Sequence, residues 1–289
     1  MKVNAIPLLI VNLSLVTHTG LCQQYASLHV QQQHQTRIVP FCTSFPLSGE
    51  HSIIGRQMLA GVDNYLREYK HFTTEAIGSE RTIVLKHAKN NKEESSEEIT
   101  SLPDAAPLIV GAMGLEAIKS LLPAIDTHKA MLLFPLEGDT QLRQQKRENI
   151  IYFRPSYDKE LRALADYTIN TKHKTSIAIV YESSTWGRNL LSSLTKLLAD
   201  HDITPVATAS YAQGTIETEE AVKTIVKAAP NVIFCLTQPR SAYSFISNAL
   251  NVGLHECLFM GLSQLAVIQK LLKSARGLDL IVTSVVPDV

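Results

Sequence analysis

Apolar runs of strand length alternate with segments of helical period along most of the chain, and this alternation constrains the fold more than any other feature. The runs are nearly continuous in Val, Ile and Leu, which indicates strands covered on both faces, as in parallel sheets. Strands are predicted over 37–42, 82–86, 108–111, 130–134, 150–153, 176–181, 205–210, 231–236, 257–262 and 279–286. Strands that alternate with helices predict an α/β class with doubly wound sheets.

The helical segments lie between these runs. In the first of them Ile54, Met58, Val62, Tyr65 and Tyr69 recur at steps of three and four residues. We therefore expect these five side chains to share the buried face of one helix. Further helices are predicted over 115–125, 159–169, 187–200, 218–229, 241–253 and 263–275.

The predicted strands fall into two groups of similar size on either side of the segment FRPSYDKE, residues 153–160. Two Rossmann-like lobes are the simplest packing of two such groups. We therefore expect a first α/β lobe over 37–154 and a second α/β lobe over 155–282. Residues 283–289 are expected to begin a return to the first lobe.

The N-terminus has the three-part plan of a secretory signal: one Lys, an apolar stretch from Ala5 to Val16, and small residues at Gly20 and Cys22. Residues 1–22 are predicted to be a signal peptide cleaved close to Cys22, and the Gln-rich residues 23–36 a flexible lead-in. The protein is then periplasmic or otherwise extracytoplasmic. A buried first strand and a lipid anchor on Cys22 remain as alternatives.

Composition and motifs exclude several classes of function. Lys and Arg number 27 and Asp and Glu number 27, so the basic excess expected of a nucleic-acid binder is missing. The 10 His and 4 Cys show no metal-ligand spacing, and no GxSxG, P-loop or GxGxxG motif is found. We expect no catalytic residues, metal or cofactor. Cys235 and Cys257 should lie at opposite ends of neighbouring strands and remain reduced.

Doubly wound sheets bind ligands at the carboxyl ends of their strands, where loops run into helix N-termini. The corresponding loops here are predicted over 45–52, 111–116, 134–140, 181–187, 236–241 and 261–264. In the first loop, Ser48 and Gly49 could direct backbone N–H groups at a polar ligand, or they could simply cap the helix.

The order of motifs in these loops resembles the periplasmic leucine/isoleucine/valine-binding protein family. The motifs are PLSG, Gly55 with Gly61, IVGAMG, AMLLFPLEGDT, NIIYFRPSYDKE, SIAIVYESSTWGRNLLSSL, NVIFCLTQPRSAYSFISNALNVGL and LFMGLSQ. These proteins are type I periplasmic binding proteins, the substrate receptors of ABC importers. The resemblance implies two lobes joined by a three-strand hinge, which close on a ligand held in the cleft between them.

The resemblance also implies positions that contact the ligand. Family members that bind amino acids use a hydroxyl residue in the loop where this chain has Gly114 and Leu115. They use a second hydroxyl where Glu137 and Gly138 stand, and an aromatic cover where Trp186 stands. Only the aromatic position is kept in chemical character.

Two further positions differ from the family pattern. The family's acidic residue, which receives the ligand ammonium, matches Arg240, and a neighbouring aromatic matches Thr237. A guanidinium in place of a carboxylate reverses the charge preference, so a ligand with an acid or neutral amide group is expected there. In the alternative, Arg240 points to solvent at the start of its helix.

The function implied by the resemblance is capture of a small polar ligand (an amino acid, amide or small carboxylate) for an ABC permease. The membrane is then reached only through that partner or a lipid anchor. The alternative is a ligand-sensing extracellular domain of a signalling system. Family members continue beyond the point matching Val289, so the first lobe is expected to be incomplete and to expose apolar surface, whether the chain is a fragment or a naturally short relative.

Overall fold

The computed structural model describes residues 35–47, 52–69, 71–76, 79–88, 108–272 and 278–285. The predicted signal peptide and most of the predicted lead-in, as well as Ser48 and Gly49, lie outside these residues. The chain divides into two compact units. The smaller takes in Asp63–Lys86 and the chain up to Val39, and the larger takes in Pro40–Val62 and His87–Val289.

The described elements follow one another in the predicted alternation. The strands are β1 (Gln35–Ser44), β2 (His71–Ala76), β3 (Ser79–Ala88), β4 (Leu108–Ala112), β5 (Met131–Leu133), β6 (Ile150–Ile151), β7 (Ile177–Glu182), β8 (Ala207–Tyr211), β9 (Val232–Leu236), β10 (Leu258–Gly261) and β11 (Asp279–Val282). The helices are α1 (Ser52–Tyr69), α2 (Leu115–Asp126), α3 (Gln141–Gln144), α4 (Tyr157–Asp166), α5 (Thr185–Ala199), α6 (Glu219–Ala228), α7 (Pro239–Asn251) and α8 (Ala266–Leu272). Every predicted strand overlaps one of these strands.

In the smaller unit, β2 and β3 form an antiparallel ladder that runs from His71 opposite Val84 to Ala76 opposite Ser79. Strand β2 was not predicted. Its sequence, HFTTEA, is polar and short, and it has none of the continuous apolar character that marks the parallel strands.

In the larger unit, β4 pairs in parallel with the end of β1 and with β5, and β5 pairs with β6. One face of this first sheet packs on α2, with Ile109, Leu132 and Ile150 buried against Ile118 and Ile125. The second sheet has the order β11-β10-β9-β7-β8, and all its pairs are parallel. Both sheets therefore have the α/β character predicted from the sequence.

The second sheet is covered on both faces, as the continuous apolar runs predicted. Along β7, Ile177 and Ile179 face a core that includes α4 and α5, whereas Ala178 and Val180 face a core that includes α6, α7 and α8. All five residues of β9 are buried. Two apolar layers therefore hold this sheet, and hydrophobic burial on both sides fixes its helices in place.

The first sheet differs from that prediction on its second face. In β5 and β6, Met131 and Ile151 are exposed, and Phe153 just beyond β6 is 70% exposed, although their neighbours Leu132 and Ile150 are buried. Side chains of a strand alternate between the faces, so these residues mark one face that no described element covers. Burial on both faces is not found here, whereas the described residues do carry the exposed apolar surface expected of the first lobe.

The predicted buried face of α1 is also wrong. Ile54, Met58 and Tyr65 are exposed, and the least exposed positions instead follow the stripe Ser52, Gly55, Leu59, Val62 and Leu66. Gly55 explains the rotation of the helix, because a Cβ added there would lie 1.9 Å from the carbonyl oxygen of Pro46. At Gly55 the helix backbone therefore approaches the chain that follows β1.

Cys235 and Cys257 are free and buried, as expected. Gly261 pairs with Cys235 and Leu258 with Val232, so Cys257 lies level with Asn231 at the other end of the sheet. That offset of four residues corresponds to about 13 Å along the strand, too far for a disulfide.

Within the described parts of the chain, no helix is both long and apolar enough to cross a bilayer.

Candidate functional site

The chain after β4 turns sharply into α2. Gly111 has a φ of +67° and Gly114 a φ of +96°, a left-handed backbone that favours glycine. Gly114 is the N-cap of α2, and a Cβ added there would meet nothing within 4 Å. Leu115 begins the helix and packs partly against the core of the first sheet. Of the two, Gly114 leaves open space next to backbone N–H groups, whereas Leu115 belongs to the core.

The loop after β5 is braced by its own acidic side chains. Glu137 is buried, and its Oε1 accepts hydrogen bonds from the backbone N–H groups of Gly138, at 2.9 Å, and Asp139, at 3.1 Å. Asp139 is also buried, and its Oδ1 accepts from the N–H of Gln141 at the start of α3. Glu137 therefore holds the loop in its conformation, which is a role that the resemblance did not imply.

Tyr157, the first residue of α4, lies at the centre of this region and is buried. Its backbone N–H donates to the carbonyl oxygen of Gly138 at 2.8 Å, and its ring fills the space that a side chain at Gly138 would need. Burial raises the pKa of the Tyr157 hydroxyl, and the neighbouring Glu137 carboxylate raises it further. This hydroxyl therefore stays protonated and can donate a hydrogen bond.

Trp186 approaches Tyr157 from the second sheet. It lies in the first turn of α5, which Ser184 caps by accepting a hydrogen bond from the N–H of Gly187. The Trp186 and Tyr157 rings meet edge to face, with centroids 5.9 Å apart. Trp186 is half-buried, so part of its ring remains accessible. The loops after β5 and β7, one from each sheet, thus meet at Tyr157.

The guanidinium of Arg154 lies 4.7 Å from the centroid of the same ring. Its Nη1 donates to the carbonyl oxygen of Leu136 at 2.5 Å, and its Nη2 donates to Oε1 of Glu160 at 2.7 Å and to Oγ of Ser263 at 3.1 Å. Burial lowers the pKa of Arg154, but the interactions with Tyr157 and Glu160 outweigh it and raise the pKa. Arg154 therefore remains charged although it is mostly buried.

Glu160, in the first turn of α4, is 2% exposed. Besides Arg154, its Oε2 accepts from the N–H of Ser263 at 2.9 Å and from Oγ1 of Thr283 at 2.5 Å. The carboxylate thus joins α4 to the segments that follow β6, β10 and β11. A buried carboxylate with this many donors is well compensated for its loss of water.

Thr237 follows β9 and is 1% exposed. Its Oγ1 and the hydroxyl of Tyr211, at the end of β8, are both buried and have no hydrogen-bond partner by distance and angle within the described residues. Burial raises the pKa of Tyr211, and the nearby Thr237 hydroxyl lowers it in part. Thr237 is therefore a polar group at the carboxyl edge of the sheet, but beneath the surface.

Arg240 lies in the first turn of α7 and is exposed. It has no ion pair among the residues that the structure describes. The predicted site residues therefore differ in their surroundings: Glu137, Gly138 and Trp186 converge on Tyr157, whereas Gly114, Thr237 and Arg240 lie at other strand ends.

Three residues around this site, Tyr157, Arg154 and Glu160, were not predicted from the sequence, although all three stand in the segment FRPSYDKE. A signal was available, because an Arg and a Glu six residues apart flank a helix N-cap, Ser156, at a predicted lobe boundary.

The described residues hold no cluster of His, Cys, Asp and Glu side chains suited to a metal ion.

Two parallel α/β sheets, with polar loops at the carboxyl ends of their strands, define a class of ligand-binding proteins with two lobes. The sequence pattern of the periplasmic binding protein family matches residues 43–288, and the chain therefore belongs to this family. Among curated proteins, none matches the sequence.

Solved structures share the fold at low sequence identity. A substrate-binding periplasmic protein from Ralstonia solanacearum is 21% identical, with 83% of this chain and 69% of that chain covered and a TM-score of 0.62. A possible leucine/isoleucine/valine-binding protein from Rhodopirellula baltica SH 1 is 18% identical, with 88% of this chain and 70% of that chain covered and a TM-score of 0.63. An ABC transporter solute-binding protein from R. palustris, in complex with benzoate, is 15% identical. In this case 82% of this chain and 65% of that chain are covered, and the TM-score is 0.61. The chain thus spans about two thirds of the length of these relatives.

Proposed function

We propose that this protein is an extracytoplasmic solute-binding protein of an ABC importer, which captures a small polar ligand in a cleft between its two lobes. The observation that carries the proposal is the meeting of the loops after β5 and β7 at Tyr157, since Gly138 and Trp186 both contact this ring. A ligand held there would touch both sheets at once, as binding by lobe closure requires. We propose further that the boundary between the two lobes lies between residues 154 and 155. The same proposal places the chain in the leucine/isoleucine/valine-binding branch of the family.

The charges favour a small carboxylate or an amide over an amino acid. Glu137, the acidic side chain at the predicted site, already accepts two backbone hydrogen bonds within its own loop. Arg240 is an exposed cation in the first turn of a helix, where a carboxylate is also favoured by the helix dipole. Gly114 would supply backbone contacts to the same ligand, whereas Thr237 is 1% exposed and would support the site from beneath. Ser48, a predicted ligand contact, lies outside the described residues.

A thermal-shift panel of amino acids, amides, ureas and small carboxylates, benzoate among them, tests the proposal. A compound at about a hundred times its Kd should stabilise the fold by roughly 2.7 kcal/mol. At an unfolding entropy of about 0.6 kcal/mol per degree for a chain of this size, that raises Tm by about 4–5 °C. Trp186 is the only Trp, so its fluorescence should report binding directly. No shift with any compound would contradict the proposed class of ligand.

Two substitutions test whether Trp186 and Arg240 contact the ligand. Trp186→Ala should weaken binding of a compound found in the panel by about 1–3 kcal/mol, because a ring is lost from a partly desolvated site. Arg240→Glu should weaken binding of carboxylates and improve binding of amino acids. If neither change alters the affinity, the ligand binds elsewhere.

Export and transport need their own measurements. N-terminal sequencing of protein recovered from the periplasm should place the cleavage close to Cys22, and an intact Met1 on cytoplasmic protein would contradict export. Co-purification of an ABC permease would support transport, whereas co-purification of a kinase or cyclase would favour the sensing alternative.

A further inference from the structure

Arg154 and Glu160 form a buried ion pair at the place where the chain passes from the first sheet to the second. Arg154 reaches back to the loop after β5 through its hydrogen bond to the Leu136 carbonyl oxygen. Glu160 reaches forward to Ser263 and Thr283, which follow β10 and β11. The pair therefore joins one loop of the first sheet to α4 and to the two segments that follow β10 and β11.

This joint is difficult to open. The side chain of Glu160 is 1% exposed and that of Arg154 is 13% exposed, so separating them would leave a charge without a partner in a region nearly free of water. Removal of one member of a buried ion pair is strongly destabilising for that reason. The segments that the pair connects should therefore be displaced when either side chain is replaced.

The loop held by Arg154 is the one that carries Glu137 and Gly138. Its position depends on the Leu136–Arg154 hydrogen bond on one side and on the hydrogen bond from Tyr157 to Gly138 on the other. Arg154 also lies against the Tyr157 ring, which in turn contacts Trp186. Displacement of the guanidinium would therefore be transmitted to both sides of the proposed cleft.

We propose that Arg154 and Glu160 are positioning residues, which hold the loop at 136–140 against the second sheet and thereby set the affinity of the cleft without contacting its ligand. This proposal rests on the function proposed above. The ion pair acts on ligand binding only through the loop. The ligand affinity should therefore depend on the charge of these two side chains and not on their volume.

The first test needs no ligand. Glu160→Gln keeps the volume of the side chain but places an amide where three donors converge, so the loop should loosen. Hydrogen exchange of the Gly138 and Asp139 amides, which donate to Glu137, should become about tenfold faster or more. Asp126→Asn is the matched control, because it removes the carboxylate of another Arg ion pair, with Arg147 at 2.6 Å, that does not touch this loop.

Two outcomes of the exchange experiment are decisive. Faster exchange in Glu160→Gln but not in Asp126→Asn supports the proposal that the ion pair holds the loop at 136–140. Equal exchange in both variants overturns it. Thr283→Val removes one donor to Glu160 without changing any charge, and it should accelerate exchange by a smaller factor, about threefold. This variant keeps the test decisive if Glu160→Gln does not fold.

The second test measures benzoate binding by Trp186 fluorescence. Glu160→Gln and Arg154→Met should each weaken the affinity about tenfold, and the double variant should be weaker by much less than the product, because both act through one contact. Independent, multiplicative effects would overturn the proposal. If wild-type protein does not bind benzoate, that result counts against benzoate as the ligand and not against the ion pair, because the exchange experiment still decides whether the pair holds the loop.

Discussion

Gly138→Ala probes the contact on which the proposed site depends. A Cβ at residue 138 would lie 2.7 Å from Cδ1 and 2.8 Å from Cε1 of Tyr157, closer than carbon atoms approach in folded proteins. The ring cannot easily move aside, because the Arg154 guanidinium and the Trp186 ring pack against it. Forcing one extra methyl into such a place costs about 1–3 kcal/mol of unfolding free energy.

Gly61→Ala is the matched control, since it makes the same chemical change in the middle of α1. A Cβ at residue 61 would meet nothing within 4 Å. Alanine is a better helix former than glycine, so this variant should be more stable than wild type by about 0.5–1 kcal/mol. The unfolding free energies of the two variants should therefore differ by roughly 1.5–4 kcal/mol.

Urea unfolding followed by Trp186 fluorescence and by circular dichroism measures both values. The double variant Gly138→Ala/Tyr157→Leu supplies the decisive comparison, because a smaller residue at 157 removes the clash and should make the added methyl nearly neutral. The reasoning is refuted if Gly138→Ala is as stable as wild type, or if it costs the same with Tyr157 and with Leu at position 157.

Three other measurements check the structure. Phe234→Ala should lower the unfolding free energy by about 3–5 kcal/mol, since this side chain is fully buried in the second sheet; an effect below 1 kcal/mol would contradict that core. Phe153→Ser should change it by no more than about 0.5 kcal/mol and should lower binding of an apolar dye, because Phe153 is 70% exposed. Burial raises the pKa of the Cys235 thiol, so the unfolded chain loses this proton first and stability should fall above about pH 9. Cys235→Ala should flatten that decline in urea unfolding between pH 9 and 11, and an unchanged slope would contradict it.

The sequence alone determined the order and kind of most elements, although not of β2 or of the short helix α3. Strand β9 at 232–236 and helix α7 at 239–251, for example, lie within two residues of the predicted bounds, 231–236 and 241–253. The periodicity of apolar residues is a local property, and hydrophobic burial imposes it wherever an element packs on a core. The same patterns indicated two parallel sheets and the set of loops at their carboxyl ends.

The site was predicted less completely, for a reason that Tyr157 and Glu137 illustrate. Glu137 was chosen by its place in a loop, but only the structure shows that it accepts two N–H groups of that loop. Tyr157 stands two residues before the predicted start of a helix at 159, and nothing in its neighbours along the chain indicates that Gly138 and Trp186 pack on it. Such contacts join residues that are distant in sequence, so no local pattern contains them.

The direction in which an apolar residue faces was likewise decided by the tertiary structure. The stripe of Ile54, Met58 and Tyr65 on α1 had the correct helical spacing, yet the helix packs through Gly55, which lets its backbone approach Pro46. In the first sheet, Leu132 is buried and Met131 is exposed, although both belong to one apolar run. A sequence states which residues are apolar and how often they recur, but burial depends on which surface lies opposite, and only the folded chain supplies that surface.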